Sequence, residues 1–504
     1  MNARSLYNGN AGPLASEHFL AAGAVCRIET NSELILAAAR QSFVPIANPP
    51  SAAGMSIRLC VDPAACSRPP WPRAHFRGLD HLVIAAFDSE NTVLADLRRR
   101  RATGRFSPAM AASADYLRRV IFPTLFGIFT DTIPVTPLHC ACVEKEGRGL
   151  LLTGASGSGK STLSLSLARN GFGFLSDEWT YFTWRAGRLL AWGLSSAPLK
   201  LLSDAPRHFP ELEPVQPGIS SNGEKAYEIE PESVFGVRRS VCAEPEWLIF
   251  LERQAVPGFS VSRVSPLEAE AQFEEYLAYF ATHGLWEGKD LAVKTIQSLS
   301  QISCWRLRYG GQPAPVAQAL AEFLQSTSEK ELQREPSRGR SGQNMTAPDM
   351  LRRATPTPFA AHLHIMGRTV RLETNSAALV RYFRSQLESY GGARSSRPDF
   401  LWRLVSEPDA EFEARWPEMA GFSDASLSLV NFGQRSFIAV DQHARKAVGF
   451  LEERLTRDKP RFVRILLAAL ITLTASALGP RAASAARAAW ELGRPSLSRH
   501  PGDV

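Results

Sequence analysis

Apolar positions along this chain gather into short runs broken by glycine and polar residues. His81–Phe87, Gly149–Thr153, Gly173–Ser176 and Ser426–Phe432 are of strand length, as is the apolar segment inside Glu246–Arg253. Lys160–Asn170 predicts a helix: Leu163 and Leu167 lie one turn apart, and Gly171 supplies a stop. Two apolar stretches entered through arginine, Arg118–Phe129 and Arg464–Leu473, also predict helices. The most membrane-like run, Ile465–Leu478, has fourteen uncharged residues. A spanning helix needs ~20 apolar residues, so a buried helix and no membrane span are expected.

One pattern recurs. Gly23-Ala-Val-Cys-Arg-Ile-Glu-Thr-Asn-Ser32 returns as Gly367-Arg-Thr-Val-Arg-Leu-Glu-Thr-Asn-Ser376, at an offset of 344 that extends to Leu36/Val380 and Arg40/Arg384. Both copies also carry an Arg-Pro pair downstream, at 68–69 and 397–398. The pattern predicts an internal duplication: an α+β module at 14–135, a different domain at 136–325, a Ser/Arg/Gly/Pro-rich linker at 326–358, a second copy at 359–479 and an Ala/Arg-rich tail at 480–504. The expected fold is α/β, a nucleotide-binding core flanked by two homologous smaller α+β modules.

Composition narrows the class without naming it. At 44% hydrophobic and 21% charged the chain is globular material, which excludes disordered and collagen-like classes. Its 57 Lys and Arg against 50 Asp and Glu leave +7, too small an excess for a dedicated nucleic-acid binder. Seven cysteines without a CxxC pair indicate neither a disulfide framework nor a zinc ribbon. With no secretory signal at the start, a reducing, cytoplasmic location is expected. Oligomeric state is not indicated.

Candidate chemistry begins at Gly154-Ala155-Ser156-Gly157-Ser158-Gly159-Lys160-Ser161-Thr162, which fits GxxxxGK[ST] between an apolar run and a helix-compatible run. Glycines there let backbone N–H groups surround phosphate oxygens, and the following helix turns its positive end to the same anion. Lys160 reaches the β- and γ-phosphates of a nucleotide as a point charge, and the Ser161 hydroxyl suits Mg²⁺. ATP and Mg²⁺ are the cofactors expected. Seventeen residues after Lys160, the segment Gly173–Ser176 ends in Asp177-Glu178. At the end of a strand in a parallel sheet, carboxylates hold Mg²⁺ or accept a proton from an attacking hydroxyl.

His139, the loop Gly154–Ser161 and the acid pair resemble HPr kinase/phosphorylase and its relatives, whose phosphate loop also resembles that of phosphoenolpyruvate carboxykinase. Ser233-Val-Phe-Gly-Val-Arg-Arg239, followed by Glu246–Arg253, is similar to a further segment of that family. The resemblance covers roughly 137–253 and implies an ATP-dependent kinase acting on a serine or threonine of a protein or peptide. A ribosomal-peptide precursor is one such acceptor. In it Asp177 would accept the proton, Glu178 would assist with Mg²⁺, and His139 would line the site. The family's second Asp is Glu178 here, and no Pro-Gly-Arg-Asn follows, so transfer from ATP is expected rather than the reverse phosphorolysis. Two other readings stay open: an ABC-type or other P-loop ATPase, although no Leu-Ser-Gly-Gly-Gln is present, and a non-catalytic nucleotide-binding scaffold.

The remaining polar features have plain readings beside their functional ones. In His139-Cys-Ala-Cys142, strand alternation is expected to turn Cys140 away from the other two, which favours core cysteines over a metal site. Arg98–Arg101 reads as a solvated charge run. Lys225, Arg238 and Arg239 are candidates for a second cation on the transferred phosphoryl group.

Overall fold

The computed structural model describes residues 13–49, 54–194, 197–219, 224–274, 286–328, 355–365, 368–387, 398–409, 419–424, 426–457, 466, 469–471 and 473–474. They form a mixed α/β protein with three large sheets and one small one. The expected tail 480–504 lies outside the described residues.

The N-terminal sheet is built from β1 (Ala15–Ala21), β2 (Ala24–Thr30), β3 (Val44–Pro45), β4 (Met55–Val61), β5 (His75–Leu79), β6 (Leu82–Ala86), β7 (Thr92–Asp96) and β8 (Arg101–Phe106). Their order is β3-β1-β2-β4-β8-β7-β6-β5. β1 and β2 turn over Ala22 and Gly23, both at positive φ, the geometry a two-residue hairpin demands. Because β2 and β4 run parallel, they need a crossover, and α1 (Glu33–Ser42) supplies it with Ile35, Leu36, Ala38 and Ala39 turned inward. Later, α2 (Phe122–Phe129) buries Phe122, Leu125, Phe126 and Phe129 in the same core.

The C-terminal sheet comprises β21 (Phe359–Ile365), β22 (Arg368–Thr374), β23 (Phe400–Glu407), β24 (Met419–Asp424), β25 (Leu427–Phe432), β26 (Ser436–Asp441) and β27 (Lys446–Glu452), in the order β21-β22-β23-β27-β26-β25-β24. Apart from β3, this is the order of the N-terminal sheet, with the parallel pairs in the same places. The repeated Glu-Thr-Asn-Ser has one structural use in both. Asn31 exchanges two hydrogen bonds with the backbone of Val61 (3.0 and 2.7 Å), and Asn375 does the same with Ser406 (2.8 and 2.7 Å). Each Asn side chain thereby stitches the end of the second strand to the end of the next.

The two sheets pack face to face through Leu79, Leu82, Ile84 and Leu94 of one and Leu427, Leu429, Phe437 and Val448 of the other. Two-sided burial explains why β6 and β26 carry no exposed position. Ion pairs rim the apolar contact reciprocally. Arg58 reaches its own Glu29 and donates across to Asp424 (2.8 Å); Arg403 reaches its own Glu373 and donates across to Asp80 (2.9 Å). Arg101 joins Asp424, and Lys446 joins Asp80. Arg99 bridges Asp96 (2.5 Å) and Asp441 (2.9 Å). The arginine run expected to be a solvated face is therefore half spent on the facing sheet, with partners more than 300 residues away in the chain.

Between these modules lie β9 (Thr136–Leu138), β10 (Ala141–Lys145), β11 (Arg148–Thr153), β12 (Gly173–Ser176), β13 (Thr180–Arg185), β14 (Arg188–Trp192), β15 (Leu199–Leu202), β16 (Gly218–Ile219), β17 (Lys225–Ile229), β18 (Cys242–Arg253), β19 (Gly258–Arg263) and β20 (Ser303–Gly310). The main path is β12-β10-β11-β18-β14-β13-β9, with β20 joining β18 to β19, while β15-β17-β16 form the small sheet. A parallel sheet was the expectation, but this one is mixed: β11, β18 and β20 run parallel, whereas β10 runs antiparallel to both β11 and β12. The short β10–β11 connection at Glu146-Gly147 permits only an antiparallel hairpin.

The longer helices of this region are α3 (Lys160–Arg169), α4 (Trp286–Gln301) and α5 (Pro313–Ser328). α5 runs past residue 326, where the linker was expected to begin. Tyr181, Trp192 and Leu194 are buried with the N-terminal module's core, and Phe126 meets Tyr181 edge to face at 4.9 Å between ring centres. Of the stretch expected as a buried helix, Leu466, Leu470 and Leu473 lie in the C-terminal module's core. Among the described residues no helix is long and apolar enough to cross a membrane.

Candidate functional site

Strand directions gather the site. Since β11 and β12 each pair antiparallel to the β10 between them, they end on the same side of the sheet, where β10 begins. That edge collects the loop after Thr153, the acid pair after Ser176 and His139 ahead of Ala141. Three segments that are distant in sequence thus meet because one short hairpin fixes their polarity.

The loop Gly154–Gly159 is left-handed at Gly154, Gly157 and Gly159. Gly159 is doubly constrained, because a Cβ there would stand 2.1 Å from the Tyr309 hydroxyl. That hydroxyl donates to the Ser158 carbonyl at 2.5 Å, pinning the loop to the end of β20. Ala155, Ser156 and Gly157 are exposed at its tip, while Ser158 is buried and anchors it. Ser161 and Thr162 open α3, so their N–H groups lie at the helix's positive end. Lys160 is 8% exposed, and its Nζ donates to the loop's own carbonyls, Gly154 O (2.9 Å) and Ala155 O (3.3 Å). Burial lowers its pKa, against the pull of Asp177 and Glu178.

Asp177 and Glu178 occupy the turn between β12 and β13. Its ends are tied by Ser176 and Thr180, whose hydroxyls lie 2.6 Å apart, and by the Thr180 hydroxyl donating to Cys140 O at 2.7 Å. Asp177 is buried: Oδ2 accepts the Lys200 N–H at 2.9 Å, and Oδ1 has no hydrogen-bond partner among the described residues. Burial pushes its pKa up to about 6; the neighbouring Ser161, the Lys200 N–H and Lys160 pull the other way, and Glu178 adds to the rise. Glu178 is exposed beside it. The His139 ring sits 5.5 Å from that of Trp179, and burial with the charge of Lys160 lowers its pKa to about 4. It is a neutral imidazole at pH 7.

Other sequence candidates land elsewhere. Cys140 and Cys142 share one core cluster; the expectation that Cys140 would face away was wrong, because residues two apart in a strand lie on the same face. Arg238 pairs with Glu144 at 2.6 Å, toward the far end of β10 from His139. Arg239 lies over the Phe174 ring and pairs with Glu230 and Glu232. Lys225 is exposed at the start of β17. Sequence reasoning missed Tyr309 and Lys200. Tyr309 could have been sought in Tyr309-Gly-Gly, where an apolar strand ends in a turn, but Lys200 acts through its backbone and leaves no side-chain signal.

No family model matches the chain, and no curated protein does. Among solved structures, the Hpr(Ser) kinase/phosphatase from Coxiella burnetii aligns over 38% of this chain and 99% of its own at 14% identity, with a TM-score of 0.22. So loose a likeness carries no weight for function, which rests on the geometry of the site.

Proposed function

We propose that the chain binds Mg·ATP on Gly154–Thr162 and transfers the γ-phosphoryl group to a serine or threonine hydroxyl of a peptide or protein in the cytoplasm. The observation carrying this reading is the buried, unpartnered Oδ1 of Asp177 at the same sheet edge as Lys160 and the glycine loop. A buried carboxylate with a vacant oxygen is expensive to keep unless it has a proton or a cation to receive.

In the transfer, the acceptor O–H gives its proton to Asp177 while its oxygen bonds to the γ-phosphorus. The bond from that phosphorus to the bridging oxygen breaks, and ADP leaves with the electron pair. Lys160 exchanges its two loop carbonyls for phosphate oxygens, a charge-assisted contact of about 1.5–3 kcal/mol. A base with pKa near 6 is mostly ionised at pH 7 yet holds a proton well enough to assist departure from the acceptor. His139, neutral, lines the site as a hydrogen-bonding group rather than a cation. Ser161 and Glu178 would hold Mg²⁺, which would supply charge neutralisation on the phosphates.

Incubation with γ-labelled ATP and a randomised serine/threonine peptide pool tests the reading. Labelled peptide that disappears in Lys160→Ala supports it. Labelled phosphate alone favours an ATPase, and no turnover with retained ATP binding favours a nucleotide-binding scaffold.

A further inference from the structure

We propose that Arg119, in the N-terminal module, is a positioning residue for Asp177; this rests on the phosphoryl-transfer reading above. Leu117–Ile121 forms one π-helical turn ahead of α2, an insertion geometry often found near functional sites. Arg118 and Arg119 on this turn both face the middle domain. Arg119 Nη1 donates to the Glu228 carbonyl at 3.2 Å, and the two arginines lie 3.6 and 3.8 Å from Glu230 Oε1.

The small sheet translates that grip to the carboxylate. Glu228 stands opposite Lys200 in the β15–β17 pair. Because the Lys200 N–H is given to Asp177, it points away from β17; this is a non-bonded pair, and by the same alternation the Glu228 carbonyl points away from β15. β16 ends opposite Ala226 and leaves that carbonyl to Arg119. The sheet is thus held on one flank by Arg119 and on the other by Asp177. Among the described residues it shares no ladder with the main sheet and rests on it only through side chains such as Leu199, Leu201, Tyr227 and Ile229; apolar packing sets its place, and the hydrogen bonds at its flanks set the final register of the Lys200 N–H. That N–H occupies Oδ2 and leaves Oδ1 as the oxygen available to an acceptor. The N-terminal module therefore aims the base it does not contain.

The test compares wild type, Arg119→Ala, Arg119→Lys and Asp177→Asn, using γ-labelled ATP, the randomised peptide pool and amide exchange at Lys200. Arg119→Ala should lower kcat about tenfold to a hundredfold, the scale of a small misplacement, while KM for ATP stays within about twofold. Its Lys200 amide should exchange faster, and Arg119→Lys, still a donor, should restore most of the rate. An unslowed Arg119→Ala overturns the proposal, and so does a joint loss of kcat and ATP affinity that Arg119→Lys does not rescue. If Asp177→Asn itself turns over at the wild-type rate, the reading of the site falls first. If Asp177→Asn is inactive and Arg119→Ala is not slowed, only the role of Arg119 falls.

Discussion

Asp441 and Asp177 are both buried carboxylates, and the fold treats them in opposite ways. Asp441, between the two modules, receives His81 Nε2 (2.9 Å), Arg99 (2.9 Å) and the Ala444 N–H (2.9 Å). Burial pushes its pKa up, but these donors outweigh burial and hold the carboxyl well below its usual range. Among the described residues Asp177 has one backbone donor on Oδ2 and none on Oδ1, and although Ser161 and Lys160 beside it also favour the charged form, burial wins. The first arrangement holds the fold together; the second stores instability at a place where chemistry can use it.

The contrast breaks most visibly at Asp441. Asp441→Ala removes the shared acceptor, strips the buried His81 Nε2 of its partner and leaves Arg99 with Asp96 alone, so a loss of about 3–5 kcal/mol is expected in denaturant unfolding. Because the native pKa lies below the unfolded one, its contribution is present above about pH 4 and disappears as the pH falls through the native value. A loss under about 1 kcal/mol would show that this pairing adds little to the contact between the modules.

Asp177→Asn should go the other way. With a native pKa of about 6 against an unfolded 3.8, holding this group ionised at pH 7 costs about 2–3 kcal/mol, so the variant should be more stable by that order. Here the native state binds the extra proton, so wild-type stability rises as pH falls from 6 toward 4, and the advantage of the variant fades over the same window. Its turnover should collapse while ATP affinity is kept. A destabilised Asp177→Asn would mean that the carboxylate is structural.

The smallest effect separates the modules themselves. Asn31→Ala and Asn375→Ala each remove two strand-to-strand hydrogen bonds and should each cost about 1–2 kcal/mol. Unequal costs in thermal unfolding would show that the same motif bears different loads in the two sheets.

Local chemistry was readable in the sequence, and pairings at a distance were not. Thr153, the glycine loop and the helix from Lys160 follow one another within about twenty residues, so turn chemistry and periodicity suffice to find them. Asp177 could be singled out because it ends an apolar run. Sheet polarity was missed for a local reason: Ala141–Lys145 was not recognised as a strand, and its short turn at Glu146-Gly147 makes it antiparallel to β11 and β12. Tyr309 meets Ser158 across 151 positions, and Arg101 meets Asp424 across 323. Nothing local to Arg98–Arg101 distinguishes an interface from a solvated run, because the facing carboxylates arise in another module.

The reciprocal pairing of Arg58 with Asp424 and Arg403 with Asp80 has a further consequence. Were such a face shared by two identical chains, every substitution would occur twice, and any defect would be doubled. With both halves on one chain, each substitution is felt once, and the two sides are free to drift apart. Lys446 already stands where the other side has Arg101, and Ser426 where it has His81, at the same strand and turn positions. Carrying both faces on one chain makes the contact adjustable, since one half can take up a second task while the other keeps the joint closed.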